Sequence, residues 1–299
     1  MNAYQLKLKH ILPPFIAVTL GTVIAFGILR WILSIKFSIV GIKEDVWEFW
    51  LPLLLPWLPI RLWLNARFKR LTFKVESEIS RIFYHFIAWV TMTVMLCVSQ
   101  AYLTTATGSL RTLSTIEDIE QTDAARYYKV DDFSVAPSYG GTHAKVSKSG
   151  KYGTDLNFDV YFVTPIVSAN TARLSRIPKV WYAVHFSERT SNWTSKAEKE
   201  KRYKVFFDKS LAKMNNYKFH DLDHFEQLPA SSHRDNYLKA IQSRVNAPEI
   251  QNFIVLRPIQ DKYEDRNGHK VAWIFRAFAI GLAVLLLALI RPSLKDPES

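Results

Sequence analysis

Residues 271–290 read VAWIFRAFAIGLAVLLLALI, a run of twenty residues with a single charge, Arg276. At 1.5 Å per residue such a helix crosses about 30 Å of hydrocarbon. Only a form that satisfies its own backbone groups can do so, and for a lone segment that form is a helix. This run decides the fold, because three further apolar runs lie upstream of residue 104. Residues 104–270 then become an insert between a third and a fourth span.

The upstream runs differ in quality. His10 to Leu33 is too long for a signal-peptide core, and no Ala-x-Ala cleavage site precedes Arg30, so it is expected to remain as an anchor. Ile82 to Leu103 is a plain span. Phe49 to Leu64 carries Pro52, Pro56 and Pro59, which remove backbone donors and exclude a straight helix. Trp47, Trp50, Trp57 and Trp63 surround it, as suits the headgroup level. A kinked span is favoured over a re-entrant segment, whose broken backbone would need protein or water around it. Small residues four apart, Gly21 and Ala25, Ala277 and Gly281, Ala279 and Ala283, are expected to let the spans pack closely on one another.

Charge sets the orientation. The net +12 would suit nucleic acid, but residues 104–270 hold 25 Lys and Arg against 20 Asp and Glu, and the flanking segments hold 14 against 7. More than half of the excess therefore borders the spans, where it fixes topology and meets anionic lipid, so no nucleic-acid partner is expected. Arg61, Arg67, Lys69, Arg70, Lys74 and Arg81 crowd the end of the second run and the loop after it, whereas Lys36 and Lys43 in the preceding loop are offset by Glu44, Asp45 and Glu48. Basic loops stay inside. The expectation is a bacterial inner-membrane protein with both termini cytoplasmic, Arg291 and Lys295 included, and the insert outside. Arg30 and Arg276, charges within apolar runs, either snorkel to headgroups or pair with Glu44, Asp45 or Glu48; Arg276 is the arginine expected to form such a clamp.

Within the insert, Leu156, Phe158, Val160 and Phe162 alternate with polar residues, the mark of a half-buried strand. Tyr127–Val135, Lys179–Phe186, Tyr217–Phe225 and Phe253–Pro258 read as strands as well. Ser195 with Glu198 makes a capping box for a helix presenting Tyr203, Phe206, Phe207, Leu211 and Met214 on one face. A second helix from Ser232 presents Tyr237, Leu238, Ile241 and Val245. The fold class is an α+β domain, a mixed sheet with two helices, inserted in a four-helix transmembrane bundle. Its domains are 1–103 with spans near 10–33, 49–64 and 82–103, the domain 104–270, and 271–299 with a span near 271–290.

Chemistry is sparse. The single cysteine, Cys97, lies in a span and excludes an intrachain disulfide. In His220-Asp221-Leu222-Asp223-His224 the histidines share a strand face but stand roughly 13 Å apart, too far for one ion. Ser99 and Gln100 lie about 20 Å along the same helix from His85, too far for a nucleophile and its base. No G-x-S-x-G, P-loop or dinucleotide fingerprint occurs. Asn192-Trp193-Thr194 fits a glycosylation sequon, a short pattern that matters only in a eukaryotic secretory setting. No catalytic, cofactor-binding or metal-ligating residue is assigned.

Phe49-Trp50-Leu51-Pro52 through Pro56-Trp57-Leu58-Pro59-Ile60 to Trp63 resembles the N-terminal extension of certain bacterial rhomboid-family intramembrane serine proteases. So do Ala106-Thr107-Gly108, Ser149-Gly150-Lys151-Tyr152, and Arg266-Asn267-Gly268-His269-Lys270 followed by Trp273-Ile274-Phe275. In that family the catalytic serine lies in a six-helix core after this region. Its glycine-flanked motif and histidine partner have no matching positions here, so no catalytic residue carries over. The resemblance implies an accessory module standing without the protease core. The expected function is a membrane-anchored, non-catalytic interaction or regulatory module whose outer domain binds a protein or peptide. The alternatives are an accessory subunit of a rhomboid-like protease whose core is a separate chain, and an envelope sensor.

Overall fold

The computed structural model describes residues 3–37, 41–72, 78–169 and 177–294. Lys74, Lys295 and the side chain of Arg81, used above for orientation, lie outside what it describes. The chain divides into two compact units, Met1–Thr107 with Arg266–Ser299, and Gly108–Asp265. The longer helices are α1 (Ala3–Arg30), α2 (Glu78–Ala106), α3 (Lys196–Asn215), α4 (Ser232–Gln242) and α5 (Lys270–Ala288).

Among the described residues, three helical stretches are long and apolar enough to cross a membrane: Tyr4–Lys36, Ile82–Ala106 and Tyr263–Ala288, the last beginning in the final residues of the second unit. Their common core joins Ile11 and Phe15 of α1, Ile87 and Met92 of α2, and Leu285 and Leu289 at the end of α5. Gly281 is buried where α5 meets α2, and a Cβ there would overlap the Thr91 side chain, so the small residue sets the crossing distance. Gly21 and Ala25 do not take part in such a crossing. They lie on an exposed face of α1, with nothing within 4 Å of a Cβ at Gly21. Ala279 and Ala283 face outward too.

The end of α5 is tied down by side chains. Lys7 is 5% exposed, and its ammonium donates to the carbonyls of Leu289 at 2.7 Å and Pro292 at 2.8 Å. Tyr4 donates to Leu286 O and Tyr84 to Ala288 O. These groups satisfy carbonyls that a helix C-terminus leaves without intrahelical partners.

The proline-bearing run is a chain of short pieces, Val46–Trp50, Leu51–Leu54, Trp57–Pro59, Ile60–Leu64 and Asn65–Phe68, the first and fourth of them wide π-type turns. Proline rings block the regular ladder, and the chain relaxes by changing pitch. One face packs inward through Trp47, Ile60, Leu64 and Phe68, while Leu54, Trp57, Leu58 and Trp63 stay more than half exposed.

The second unit is mixed α and β. Its strands are β1 (Leu110–Thr115), β2 (Tyr127–Asp132), β3 (Ser134–Val135), β4 (Gly141–Ser149), β5 (Asp155–Val167), β6 (Val180–Ser191), β7 (His224–Gln227) and β8 (Ile254–Ile259). They form one sheet in the order β1-β2-β7-β8-β6-β5-β3, with β4 also paired to β5. The β1–β2 and β6–β8 pairs are parallel and the rest antiparallel.

Both faces of the sheet are covered. Phe158, Val160, Phe162, Tyr182 and Leu256 meet Phe206 of α3 on one face; Tyr161, Val163, Trp181 and Val255 meet Tyr237, Leu238 and Ile241 of α4 on the other. The alternation that marks β5 as half-buried is therefore only its first half, since residues 160–166 are buried on both sides. Ser195 Oγ accepts from Glu198 N at 3.2 Å, which starts α3 as the sequence indicates. Leu211 is turned outward, 37% exposed.

The strand expected over Tyr217–Phe225 is confined to β7, and residues 217–223 form turns closed by Asp221 N to Lys218 O and Leu222 N to His220 O. The aromatic residues that suggested a strand cover the edge of the core instead: Tyr182 packs edge-on against Phe219 and donates to its carbonyl. β1 and β4 escape the sequence reading.

Candidate functional site

The HDLDH segment separates its histidines. His220 is exposed in a turn with its ring 4.6 Å from that of Phe133. His224 is 1% exposed, its ring edge-on to Tyr127 and Tyr263. Asp223 accepts from His224 Nδ1 at 3.0 Å and from Tyr263 N at 3.1 Å, and these bonds hold its carboxyl below the usual aspartate value. The segment is thus a brace, in which Tyr263 also donates to Gly108 O at 2.8 Å and ties the last turn of the unit to its first residue. No metal-binding group of three His, Cys, Asp or Glu occurs among the described residues.

Ser99 and Gln100, too far from His85 in sequence to act with it, and His85 itself have separate partners. His85 contacts Asn65 Oδ1 at 3.2 Å, and Ser99 donates to Leu96 O. Gln100 serves Arg30. The Arg30 guanidinium, 4% exposed, donates to Gln100 O at 3.0 Å and Thr104 Oγ1 at 2.7 Å, and lies 3.7 Å from Glu48 and 4.0 Å from Glu44. The Thr104 hydroxyl also bonds Glu48, and the Trp47 ring lies 6.0 Å from the guanidinium. So the clamp forms on Arg30. Arg276, assigned that role from sequence, is exposed over the Trp273 ring at 5.2 Å. Arg30 closes α1, beside the loop that carries the acids, and the end of α2 supplies Gln100 and Thr104.

On the sheet face shared with α4, sequence reasoning missed the densest polar cluster. Strand register sets His143, Tyr161 and His185 side by side across β4, β5 and β6. Tyr161 stacks on His185 at 4.5 Å, and His233 from the first turn of α4 comes within 3.5 Å of the Tyr161 hydroxyl. His185 Nε2 meets Asp159 Oδ1 at 2.9 Å. Burial lowers the His185 pKa, outweighing the Asp159 carboxylate, and Arg257 and His233 add to the lowering. Burial, Lys239 and Lys145 lower His143 likewise. The row is neutral at pH 7, with His185 donating to Asp159.

Next to it, Glu226 is gripped by two guanidiniums. Arg126 donates through Nε at 3.0 Å and Nη2 at 2.6 Å, and Arg257 bonds the other oxygen. Burial alone would raise the Glu226 pKa, but the two arginines outweigh it and hold the carboxyl below its usual value. The histidines are scattered in sequence, at 143, 185 and 233, and only strand register gathers them. The period-two placement of Asp159, Tyr161 and Val163 was the available signal.

No family model matches the chain, and neither a curated protein nor a solved structure does.

Proposed function

We propose that the chain is a membrane-anchored interaction module whose Gly108–Asp265 unit binds a protein or peptide outside the cytoplasm. The observation that carries this reading is where that unit begins and ends. Tyr263 holds Gly108, and Ser109 O accepts from Tyr127 N, so the residues leading to the flanking apolar helices meet at one end of the sheet. At the other end of β4, β5 and β6 the turns expose Tyr152 and Trp193, which are available to a partner.

Four spans are part of the proposal. The proline-bearing segment starts with Trp47 against Phe26 and Leu96 and ends with Phe68 in the cluster of Ile11 and Tyr84. Along α1 that is about 22 Å at 1.5 Å per residue, most of a bilayer core, which supports a kinked span over a re-entrant turn. With four spans both termini and the basic loop lie on one side, and the Lys and Arg of that loop support the cytoplasmic side. A second reading, an accessory subunit for a rhomboid-like protease, is supported by the motifs resembling that family, which run in order along nearly the whole chain. Chemical crosslinking in native membranes followed by purification tests the partner reading. A discrete heteromeric adduct through lysines of residues 108–265 is expected, and recovery of the chain alone contradicts it.

A further inference from the structure

Strand register places Ser109, Arg126, Gln227, Leu256 and Tyr182 at one level across the sheet. From Tyr182 to Ser191, β6 runs nine residues further, about 30 Å. The far end of β4, β5 and β6 is therefore remote from Gly108. Two turns close that end and are locked together: Asn192 N donates to Thr154 O at 2.8 Å, and Asn192 Nδ2 to Gly153 O at 2.7 Å.

Each turn carries a large aromatic residue with almost nothing against it. Tyr152 is 89% exposed and Trp193 81%. Tyr152 also sits at φ 65°, between Gly150 and Gly153, both of positive φ. A left-handed backbone costs a tyrosine roughly 1–2 kcal/mol that glycine or asparagine would avoid. Neither its burial nor its backbone explains a tyrosine there.

Charge completes the surface. Residues 145–155 and 187–204 hold nine Lys or Arg against four Asp or Glu, whereas the rest of 108–265 holds fourteen against sixteen. The first turns of α3 belong to this end, since Arg202 donates to Thr190 Oγ1 at 2.6 Å. Lys151 lies 5.2 Å from the Tyr152 ring centre.

We propose that this tip, with Tyr152 and Trp193 as anchors and the lysines around them, docks an acidic segment of a partner protein. Exposed Tyr and Trp are the side chains that anchor interfaces, and the basic surround selects negative charge. A bilayer surface would also accept aromatic and basic groups, but the tip lies about 30 Å along β6 from the level of Ser109 and Arg126, where the unit begins. The proposal rests on the partner-binding reading above.

The test uses the full chain in phosphatidylcholine nanodiscs, panned against a displayed library of random twelve-residue peptides. Enriched peptides should be rich in Asp and Glu. Their affinity should fall at least tenfold in Trp193→Ser and in Tyr152→Asn, and weaken as salt rises. Tyr152→Asn should at the same time raise the thermal midpoint by roughly 2–4 °C, because it relieves the backbone. That gain separates lost binding from lost folding, and Tyr139→Ser, at another exposed tyrosine, should leave affinity unchanged. Peptides that ignore both tip substitutions would overturn the tip while leaving the partner reading intact. The tip is equally overturned if no peptide is enriched and nanodiscs bind phosphatidylglycerol vesicles in a Trp193-dependent way. In that case the crosslinking result alone decides the partner reading.

Discussion

Arg30 concentrates the physics of the first unit in one side chain. A guanidinium in an apolar surround persists only if its charge and donors are met, and here Glu44, Glu48, Gln100 and Thr104 meet them. Arg30→Ala should destabilise the protein in detergent by about 3 kcal/mol, because it removes the buried cation that Glu44 and Glu48 pair with and leaves Gln100 O and Thr104 without their donor. Adding Glu48→Gln should recover part of that loss, and a double variant no more stable than the single one would show that the two do not interact. The sequence placed a pair between a span arginine and this acidic loop, yet selected Arg276. Both arginines lie near the same predicted surface, and nothing in periodicity tells which one turns inward.

His185 supplies a second test at this scale. Its folded pKa lies below the ordinary 6.5, so the unfolded chain binds the proton first. The stability this gives is complete above pH 6.5 and is lost as pH falls through the folded value, and His143 acts in the same direction. Thermal midpoints at about pH 7.5 and about pH 5 should therefore differ. The difference should shrink in His185→Gln, and an unchanged difference would remove His185 from the account.

Among elements, the fourth predicted span and α3 show what pattern can carry. Ser195, Glu198 and the aromatic stripe of α3 act locally, so its start and most of its face were readable. The His143, Tyr161 and His185 row was not, because it depends on which strands pair and in what register. The turns at 217–223 misled for a related reason: aromatic residues that cap a core edge look, in sequence, like those of a strand. Gly281 tests the packing of α5 on α2. Gly281→Val would push into Thr91 and should cost about 1–3 kcal/mol, while the same change at exposed Gly21 should cost less than half as much. Equal costs would mean that α5 does not cross α2 at that point.

At the scale of the whole molecule, the chain has two compact units, one holding most of the three described helices able to cross a membrane and one with a sheet covered on both faces, which is the division that the proposed membrane-anchored module needs. Composition shifts near residues 104 and 270 made that division legible, and no motif supplied a chemistry. The central claim is the orientation: cytoplasmic termini and basic loop, outer domain. It is tested by impermeant thiol labelling of intact spheroplasts in a Cys97→Ala background. Ser149→Cys should react at once, and Lys69→Cys only after permeabilisation; reaction of Lys69→Cys in intact spheroplasts with protection of Ser149→Cys would contradict the account.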